Sequence, residues 1–247
     1  MSRFRLDGKR ALVTGANTGI GRAIALGLAE AGAHVLAAGR SSCADTVAQI
    51  ERDGGTGEAV KLDLADPAAA AGRVDGFGPL DILVNNAGII RRADSVDYTE
   101  ADWDDVIDVN LKAVFLMCQA FARGVLARGQ GGRIVNIASL LSFQGGIRVP
   151  AYTAAKHGVA GLTRILANEW AAKGINVNAV APGYIATNNT EALRDDPKRS
   201  AEILARIPAG RWGDPADIAG AVTFLCSPAA NYVTGAVLNV DGGWLAR

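Results

Sequence analysis

The sequence lacks the features that mark several classes of protein. Its three cysteines, Cys43, Cys118 and Cys226, lie far apart and form no C-x-x-C pair. We therefore expect reduced, mostly buried thiols in a cytoplasmic protein, and no disulfide framework. The two histidines, His34 and His157, have no partners at metal-ligand spacing, so no metal site is expected.

Long apolar runs and an excess of one charge sign are also missing. No segment reaches the roughly eighteen consecutive apolar residues of a membrane helix, and the N-terminus carries no signal-peptide core, so no membrane association is expected. Lys plus Arg and Asp plus Glu each number 25, a balance that does not favour nucleic acid as a partner. What is present is 49% hydrophobic residues over 247 positions, enough for a large core.

Short apolar runs alternate with helical patterns along the whole chain. The runs predict strands at 10–14, 34–38, 58–62, 80–85, 133–138, 175–181 and 236–240. Helical periodicity and capping residues predict helices at 19–31, 43–53, 67–74, 100–127, 151–172 and 214–227. No repeat or linker divides the chain. The sequence thus predicts one α/β domain over 1–247, a Rossmann-like doubly wound parallel sheet of about seven strands with helices on both faces.

Residues 184–213 form the longest stretch without a regular pattern. The stretch holds Pro197, Pro208 and several charges. Such a segment inside a compact domain is usually a lid or a binding loop. We therefore predict a substrate lid there.

A glycine-rich turn follows the first predicted strand. Thr14 is followed by Gly15, Gly19 and Gly21 in a G-x-x-x-G-x-G spacing, and a helical pattern begins there. Glycines let the backbone approach a pyrophosphate, and the helix N-terminus offers free N–H groups. No Gly-Lys-Ser/Thr follows, so the turn is not a P-loop.

Polar residues and glycines also follow the other predicted strands. They are Gly39 and Arg40, Asp63, Asn85 to Gly88, Ser139, and Pro182 with Gly183. In a doubly wound sheet all carboxyl ends of the strands lie along one edge, where ligands bind. Asp63 could alternatively be only a cap for the helix after it.

A second motif combines Ser139 with Tyr152-x-x-x-Lys156. Tyr152 and Lys156 lie four residues apart and share one helix face. A nearby ammonium favours the phenolate and lowers the pKa of the tyrosine, so Tyr152 is the candidate acid/base and Ser139 can hold the substrate oxygen.

Together, in this order and spacing, these motifs resemble the short-chain dehydrogenase/reductase family from about residue 7 to the C-terminus. The resemblance implies hydride transfer between NADP or NAD and a secondary alcohol or ketone, with a catalytic set of Asn110, Ser139, Tyr152 and Lys156. Asn110 would help to hold a relay water, and Lys156 would also donate to the nicotinamide ribose. The implied cofactor-binding residues are Gly15, Asn17, Thr18, Gly19, Ile20, Gly21, Arg40, Ser41, Asp63, Leu64, Asn86, Ala87, Gly88, Tyr152, Lys156, Pro182, Gly183, Ile185 and Thr187.

Oligomerisation is implied by the same resemblance. Family members mostly form homotetramers through the two long helices, here predicted at 100–127 and 151–172, and the C-terminal segment. Trp103, Phe115, Phe121 and Trp170 supply large apolar groups on those helices, although each could equally face the sheet.

Further stretches resemble the sugar-acid branch of the family, which acts on 2-deoxy-D-gluconate or 2-dehydro-3-deoxy-D-gluconate. They are 89–92, 141–150, 186–190, 206–213 and 241–247. The resemblance implies a small-molecule sugar acid as substrate. Two alternatives stay open: a 3-oxoacyl thioester reductase, with Arg91 and Arg92 as a docking patch, and a non-catalytic dinucleotide sensor.

The carboxylate of a sugar acid must be paired when it leaves water. Arg148 is the cation in the loop between Ser139 and Tyr152, and we predict that it binds this carboxylate, with Arg91 as the next candidate. Gln144 and Asn188 complete the predicted substrate set with Ser139 and Tyr152.

Cofactor choice depends on the end of the second strand. NAD-preferring relatives carry an acidic residue there, whereas this chain has Gly39 followed by Arg40, with Ser41 as a further donor. A guanidinium suits a 2′-phosphate. The basic residue that many NADP-preferring relatives carry in the glycine turn is missing, with Asn17 and Thr18 in its place. The sequence favours NADP, with NAD as the alternative.

Overall fold

Seven parallel strands form one sheet in the computed structural model, which describes residues 2–247. The strands are β1 (Arg10–Thr14), β2 (His34–Gly39), β3 (Thr56–Lys61), β4 (Ile82–Asn85), β5 (Gly132–Ile137), β6 (Ile175–Pro182) and β7 (Val237–Val240). Their order is β3-β2-β1-β4-β5-β6-β7, and every neighbouring pair is parallel. The predicted doubly wound sheet is confirmed. The strand order reverses between β1 and β4, where such sheets bind ligands.

Helices cover both faces of the sheet. They are α1 (Gly19–Glu30), α2 (Ala44–Arg52), α3 (Pro67–Gly72), α4 (Glu100–Ile107), α5 (Ala113–Ala127), α6 (Pro150–Trp170), α7 (Glu191–Arg194), α8 (Pro197–Arg206) and α9 (Pro215–Cys226). Side chains alternate across the strands, as the period of two requires. Leu12 of β1 packs with α5 and α6 on one face, and Val13 packs with α1 and α9 on the other.

Local capping explains where several helices begin. The Thr99 hydroxyl accepts a hydrogen bond from the Asp102 N–H at 3.1 Å, and Asp214 caps α9 by accepting from Ala216 at 2.8 Å. Both starts agree with the sequence prediction. The cap of α3 is Asp66, which accepts from Ala69. Asp63 is therefore not the cap of this helix.

The helix predicted over 100–127 contains a wider π-helical turn at Asp108–Lys112 between α4 and α5. The segment Glu100–Ala127 is long and apolar enough to cross a membrane, with a mean hydropathy of 1.3, yet half of its most apolar window is buried in the fold. Core helices pass the same test, so this is weak evidence for a membrane span.

The lid region departs from the prediction of an irregular loop. Residues 188–206 hold a 3₁₀ turn (Asn188–Thr190) and the helices α7 and α8. Asp196 caps α8 by accepting hydrogen bonds from the N–H groups of residues 198 and 199. The ends of the region are joined, because the Gly213 N–H donates to the Tyr184 carbonyl at 2.9 Å. The segment is thus a structured excursion that starts and ends beside β6.

The outer strands are more exposed than the central ones, and two of the four aromatic residues considered for the subunit interfaces face the core. β3 and β7 lie at the sheet edges and are largely exposed, because each has a strand on one side only. Phe121 and Trp170 are buried in the core, so they are not available for contact between subunits. The three cysteines are buried free thiols, as predicted. Among residues 2–247, no cluster of three or more His, Cys, Asp or Glu side chains could hold a metal ion.

Candidate active site

A cavity of about 1010 Å³ opens at the carboxyl edge of the sheet, above the point where the strand order reverses. The glycine turn, the ends of the central strands, the start of α6 and the lid region all contribute to its wall. This wall contains every cofactor-binding residue predicted from the sequence, together with Ser139, Gln144 and Asn188. Of the predicted site residues, Asn110 and Arg148 are not part of it.

The glycine turn forms a cradle that side chains would fill. Gly15 and Gly19 have φ angles of 66° and 54°, a region that favours glycine. A Cβ on Gly15 would lie 2.9 Å from the Ala87 Cα, and a Cβ on Gly21 would overlap the Gly15 carbonyl oxygen. Because the backbone is bare at the N-terminus of α1, the turn fits a dinucleotide pyrophosphate.

Thr14 and Asn86 hold this turn against the loop after β4. The Thr14 hydroxyl accepts hydrogen bonds from the N–H groups of Asn86 and Ala87 at 3.0 and 3.1 Å. The Asn86 amide donates to the Thr14 carbonyl at 2.9 Å. The side chain of Thr14 thus fixes the central crevice, a role that the sequence reading did not assign to it.

Arg40 lies at the end of the cavity beyond β2. Its side chain is exposed, and among residues 2–247 no carboxylate oxygen lies within 4 Å of its guanidinium. A Cβ at Gly39 would lie 3.0 Å from the Cys43 sulfur and from the Ser41 carbonyl oxygen, so a larger residue there needs small shifts of its neighbours. Asp63 lies on the cavity wall after β3. The corner therefore offers a free cation to a phosphate and no carboxylate at residue 39.

Tyr152 and Ser139 meet on the substrate side of the cavity. The pKa of Tyr152 is raised above its usual value, because the effect of burial outweighs the hydrogen bond with the Ser139 side chain and the positive charge of Arg92, which both lower it. The Ser139 hydroxyl also accepts from the Leu141 N–H at 3.1 Å, which orients it at the head of a 3₁₀ turn. The pair can hold and exchange a proton at one substrate oxygen.

Lys156 is buried one helical turn below Tyr152, with 4% of its surface exposed. Its ammonium donates to the Ile137 carbonyl at 2.6 Å and lies 5.5 Å from the centre of the Tyr152 ring. Burial lowers the pKa of Lys156 to about 8. The ammonium of Lys156 is thus held at the end of β5, close to the Tyr152 ring.

Ser142 connects the loop of Ser139 to the helix of Lys156. Its buried hydroxyl donates to the Lys156 carbonyl at 2.6 Å. Two hydrogen bonds of Lys156 thus join α6 to the end of β5 and the loop after it: its ammonium donates to Ile137, and its carbonyl accepts from Ser142.

Asn110 lies behind the cavity wall, in the π-helical turn. Its amide oxygen accepts from the Ile89 N–H at 3.1 Å, and its amide nitrogen donates to the carbonyls of Ile89 and Val106, each at 2.9 Å. In this structure Asn110 therefore holds the loop after β4, and single π turns of this kind are frequent at functional sites.

Arg148 is not placed as the sequence prediction required. Its guanidinium pairs with the Asp94 carboxylate at 3.1 Å, and its carbonyl accepts from the Ala93 N–H at 3.2 Å. Arg148 is also the non-glycine residue with a positive φ, 64°, among residues 2–247. Since the neighbouring residues 147 and 149 line the cavity and Arg148 does not, its left-handed backbone turns it toward the loop after β4. We correct the prediction accordingly.

Arg91 and Arg92 both lie on the cavity wall but differ in their partners. Arg91 is paired with Asp102 at 3.4 Å and with Asp105 at 3.1 Å. Arg92 has no carboxylate oxygen within 4 Å among residues 2–247. The positive charge of Arg92 acts on Tyr152, and Arg92 is the one of the two arginines without a carboxylate partner. In the sequence the two arginines are adjacent and look alike, so nothing there distinguishes the paired Arg91 from the unpaired Arg92.

Comparisons with known proteins agree with this geometry. A family model described as enoyl-(acyl carrier protein) reductase, of the short-chain alcohol dehydrogenase type, matches residues 15–245. The chain is 55% identical to the 2-dehydro-3-deoxy-D-gluconate 5-dehydrogenase of Escherichia coli, over 100% of this chain and 99% of that one. It is 44% identical to a 3-oxoacyl-[acyl-carrier-protein] reductase of Vibrio cholerae, over 97% and 98% of the two chains.

A solved structure shows the same relationship. It is a candidate 2-deoxy-D-gluconate 3-dehydrogenase from Agrobacterium tumefaciens with NADP bound, 66% identical, with a TM-score of 0.97 and 100% of both chains covered. The glycine cradle, the Ser139–Tyr152–Lys156 set and these full-length matches lead to one conclusion: the chain belongs to the short-chain dehydrogenase/reductase family, and it is an NAD(P)-dependent oxidoreductase acting on CH–OH groups.

Proposed function

We propose that the protein interconverts a secondary alcohol and a ketone on a deoxy sugar acid of the 2-deoxy-D-gluconate or 2-dehydro-3-deoxy-D-gluconate type, with NADP as its cofactor. The observation that carries the proposal is that Arg92, which has no carboxylate oxygen within 4 Å among residues 2–247, lines the same cavity as the acid/base Tyr152. The names of the similar proteins from Escherichia coli and Agrobacterium tumefaciens support the substrate class.

The residues divide the chemistry among them. Ser139 and Tyr152 hold the substrate oxygen, and Tyr152 takes its proton in oxidation or returns it in reduction. NADP held by the glycine turn would supply the hydride-transfer chemistry. Lys156, with a pKa of about 8, can pass protons near neutral pH and lines the same cavity wall as Tyr152.

Arg92 is the proposed partner of the substrate carboxylate. A carboxylate that enters the cavity needs an opposite charge, and Arg91 is already paired with two aspartates. Gln144 and Asn188 on the same wall offer amide groups to the sugar hydroxyls. This arrangement favours a small anion that carries several hydroxyl groups.

The alternatives receive less support. An acyl-carrier docking patch would need both Arg91 and Arg92 free, and Arg91 is neutralised. The acyl-carrier reductase from Vibrio cholerae is also less similar in sequence than the sugar-acid enzymes. A non-catalytic sensor would not need Ser139, Tyr152 and Lys156 together.

NADP is favoured by Arg40 and by the bound NADP of the Agrobacterium tumefaciens protein. We further propose a cytoplasmic location, in keeping with the buried free thiols, and a homotetramer. Trp103 on α4, Ile165 on α6 and Leu238 on β7 are exposed apolar residues on the elements expected at its interfaces. A monomer in light scattering at micromolar concentration would contradict the tetramer.

The function is tested by steady-state kinetics of the two sugar acids against acetoacetyl thioesters, with NADP and with NAD. We expect turnover of a sugar acid with NADP. Arg92→Ala should raise the KM of the sugar acid about 10- to 100-fold, the scale of a lost charge-assisted hydrogen bond, and should change the KM of a neutral ketone analogue much less. Arg148→Ala is the matched control. A larger sugar-acid effect for Arg148→Ala than for Arg92→Ala would refute the assignment.

A further inference from the structure

Trp244 lies near the C-terminus and contacts three parts of the substrate half of the cavity. It is buried, with 4% of its surface exposed, and lies on the cavity wall. Its indole N–H donates to the Gln144 Oε1 at 3.2 Å. The Arg206 guanidinium carbon lies 3.9 Å from the centre of its ring, and the Tyr184 ring centre lies 4.8 Å away. One side chain thus joins the Ser139–Tyr152 loop, the end of β6 and the lid helix α8.

The backbone around Trp244 is fixed independently of these contacts. The Asp241 carboxylate accepts from the N–H groups of Gly243 and Leu245 at 2.8 and 3.0 Å. Gly242 and Gly243 have φ angles of 64° and 89°, which glycine adopts without strain. The Gly242 carbonyl then accepts from the Ala209 N–H at 2.9 Å. The turn therefore presents the indole in one place and is attached to the C-terminal end of the lid.

The indole determines which atoms of Gln144 remain available. An indole nitrogen only donates, so the amide oxygen of Gln144 must face Trp244. The amide NH₂ group is then left to donate elsewhere, and Gln144 lies on the cavity wall. Both of its N–H bonds can serve an acceptor oxygen of a ligand.

Arg206 is held on the same wall by its cation–π contact. It lines the cavity, and among residues 2–247 no carboxylate oxygen lies within 4 Å of it. The neighbouring lid cation Arg199 differs, because it is paired with Glu202 at 3.2 Å. Trp244 thus supports two groups that only donate, the Gln144 NH₂ and the Arg206 guanidinium.

We propose that Trp244 is a positioning residue for the substrate: it orients the Gln144 amide and the Arg206 guanidinium toward the acceptor oxygens of the sugar acid and anchors the lid helix α8 to the site loop. The identity of the substrate rests on the function proposed above; the anchoring of α8 does not.

The kinetic test compares Trp244→Phe, Gln144→Ala and the double variant. Phenylalanine keeps an aromatic ring for Arg206 but loses the N–H donor. We expect Trp244→Phe to raise the sugar-acid KM about fivefold, about 1 kcal/mol at 1.4 kcal/mol per tenfold change, with the KM of NADP within twofold of the wild type. The double variant should be no worse than Gln144→Ala alone, because Trp244 acts through that amide. If the KM increase of the double variant equalled the product of the two single increases, Trp244 would not act through the Gln144 amide.

Trp212→Phe is the matched control. Trp212 packs edge-on against Tyr184 at 5.7 Å in the same aromatic group and has neither the hydrogen bond to Gln144 nor the contact with Arg206. Its sugar-acid KM should stay within twofold of the wild type. An equal rise in KM for Trp212→Phe and Trp244→Phe would show a general packing effect and overturn the proposal.

Hydrogen exchange tests the anchor without substrate. In Trp244→Leu, which loses both the donor and the aromatic ring, amides of 197–206 should exchange at least about tenfold faster, while those of α1 stay unchanged. Unchanged exchange in α8 would refute the anchoring role. If the wild type turned over no sugar acid, the proposed function would fail, whereas the exchange result would still decide whether Trp244 holds the lid helix.

Discussion

Replacing Lys156 by methionine should remove activity and should also remove a folding penalty that the buried charge imposes near neutral pH. The pKa of Lys156 falls from its ordinary 10.5 to about 8 because its ammonium is buried. At about 1.36 kcal/mol for each pH unit, this difference corresponds to a folding penalty of about 3 kcal/mol for the charged form. Methionine keeps a chain of similar length and removes the charge.

The sign of the pH dependence follows from the lowered pKa. Below pH 8 the lysine is charged in both states, and the penalty is fully present. Between pH 8 and 10.5 the folded protein holds fewer protons than the unfolded chain, so the free energy of unfolding of the wild type rises with pH and the penalty disappears. The variant also leaves the Ile137 carbonyl without its donor, which costs about 1–3 kcal/mol at every pH. The free energy of unfolding of the variant minus that of the wild type should therefore fall by about 3 kcal/mol from pH 7 to pH 10.5, whatever its value at pH 7.

Urea denaturation of both proteins across this range measures the change. Lys173→Met is the control, because Lys173 is exposed at the end of the turn after α6. For this control the difference from the wild type should vary little over the same range. If the difference between Lys156→Met and the wild type changed by less than about 1 kcal/mol over this range, the buried charge would not be as costly as the structure implies.

Two further predictions concern the chemistry and the cofactor. Tyr152→Phe removes only the hydroxyl, so kcat should fall at least tenfold in steady-state assays while NADP still binds in a fluorescence titration; a variant that keeps more than a tenth of kcat would exclude Tyr152 as the acid/base. Arg40→Ala should weaken NADP by about 1.5–3 kcal/mol, the scale of one charge-assisted hydrogen bond, and adding Gly39→Asp should shift preference toward NAD, because a carboxylate repels the 2′-phosphate. If the wild type already has the higher kcat/KM with NAD, Arg40 does not bind the 2′-phosphate of NADP.

The features that local chemistry determines could be predicted from the sequence. Buried parallel strands need apolar runs, and the bare backbone at Gly15, Gly19 and Gly21 admits no other residue type without overlap or strain. The predicted cofactor residues line one cavity because strand ends in a parallel sheet share an edge. These are constraints that each segment carries by itself.

Other features depend on contacts that no single segment contains. The lid was predicted as a stretch without a regular pattern, yet Asp196-Pro197 starts α8 in the same way as Asp214-Pro215 starts α9. The same pair of residue types therefore marks a helix start at both places. The orientation of Arg148 could not be predicted from the sequence, because it depends on the left-handed backbone of Arg148 itself and on its ion pair with Asp94 in a distant loop.

If Arg92 binds the substrate carboxylate as proposed, it also links substrate binding to proton transfer. Its charge lowers the pKa of Tyr152 in the free protein. A substrate carboxylate paired with Arg92 offsets that charge, so the pKa of the tyrosine should be higher in the substrate complex. Because oxidation needs the phenolate, the pH at which kcat rises should then lie above the pH at which kcat/KM rises, the first reporting the complex and the second the free enzyme. Arg92→Ala should bring the two profiles together, as should a neutral ketone analogue assayed in the reverse direction. Profiles that coincide in the wild type would show that the carboxylate binds elsewhere, and Arg206 on the lid helix would then be the remaining unpaired cation of the substrate wall.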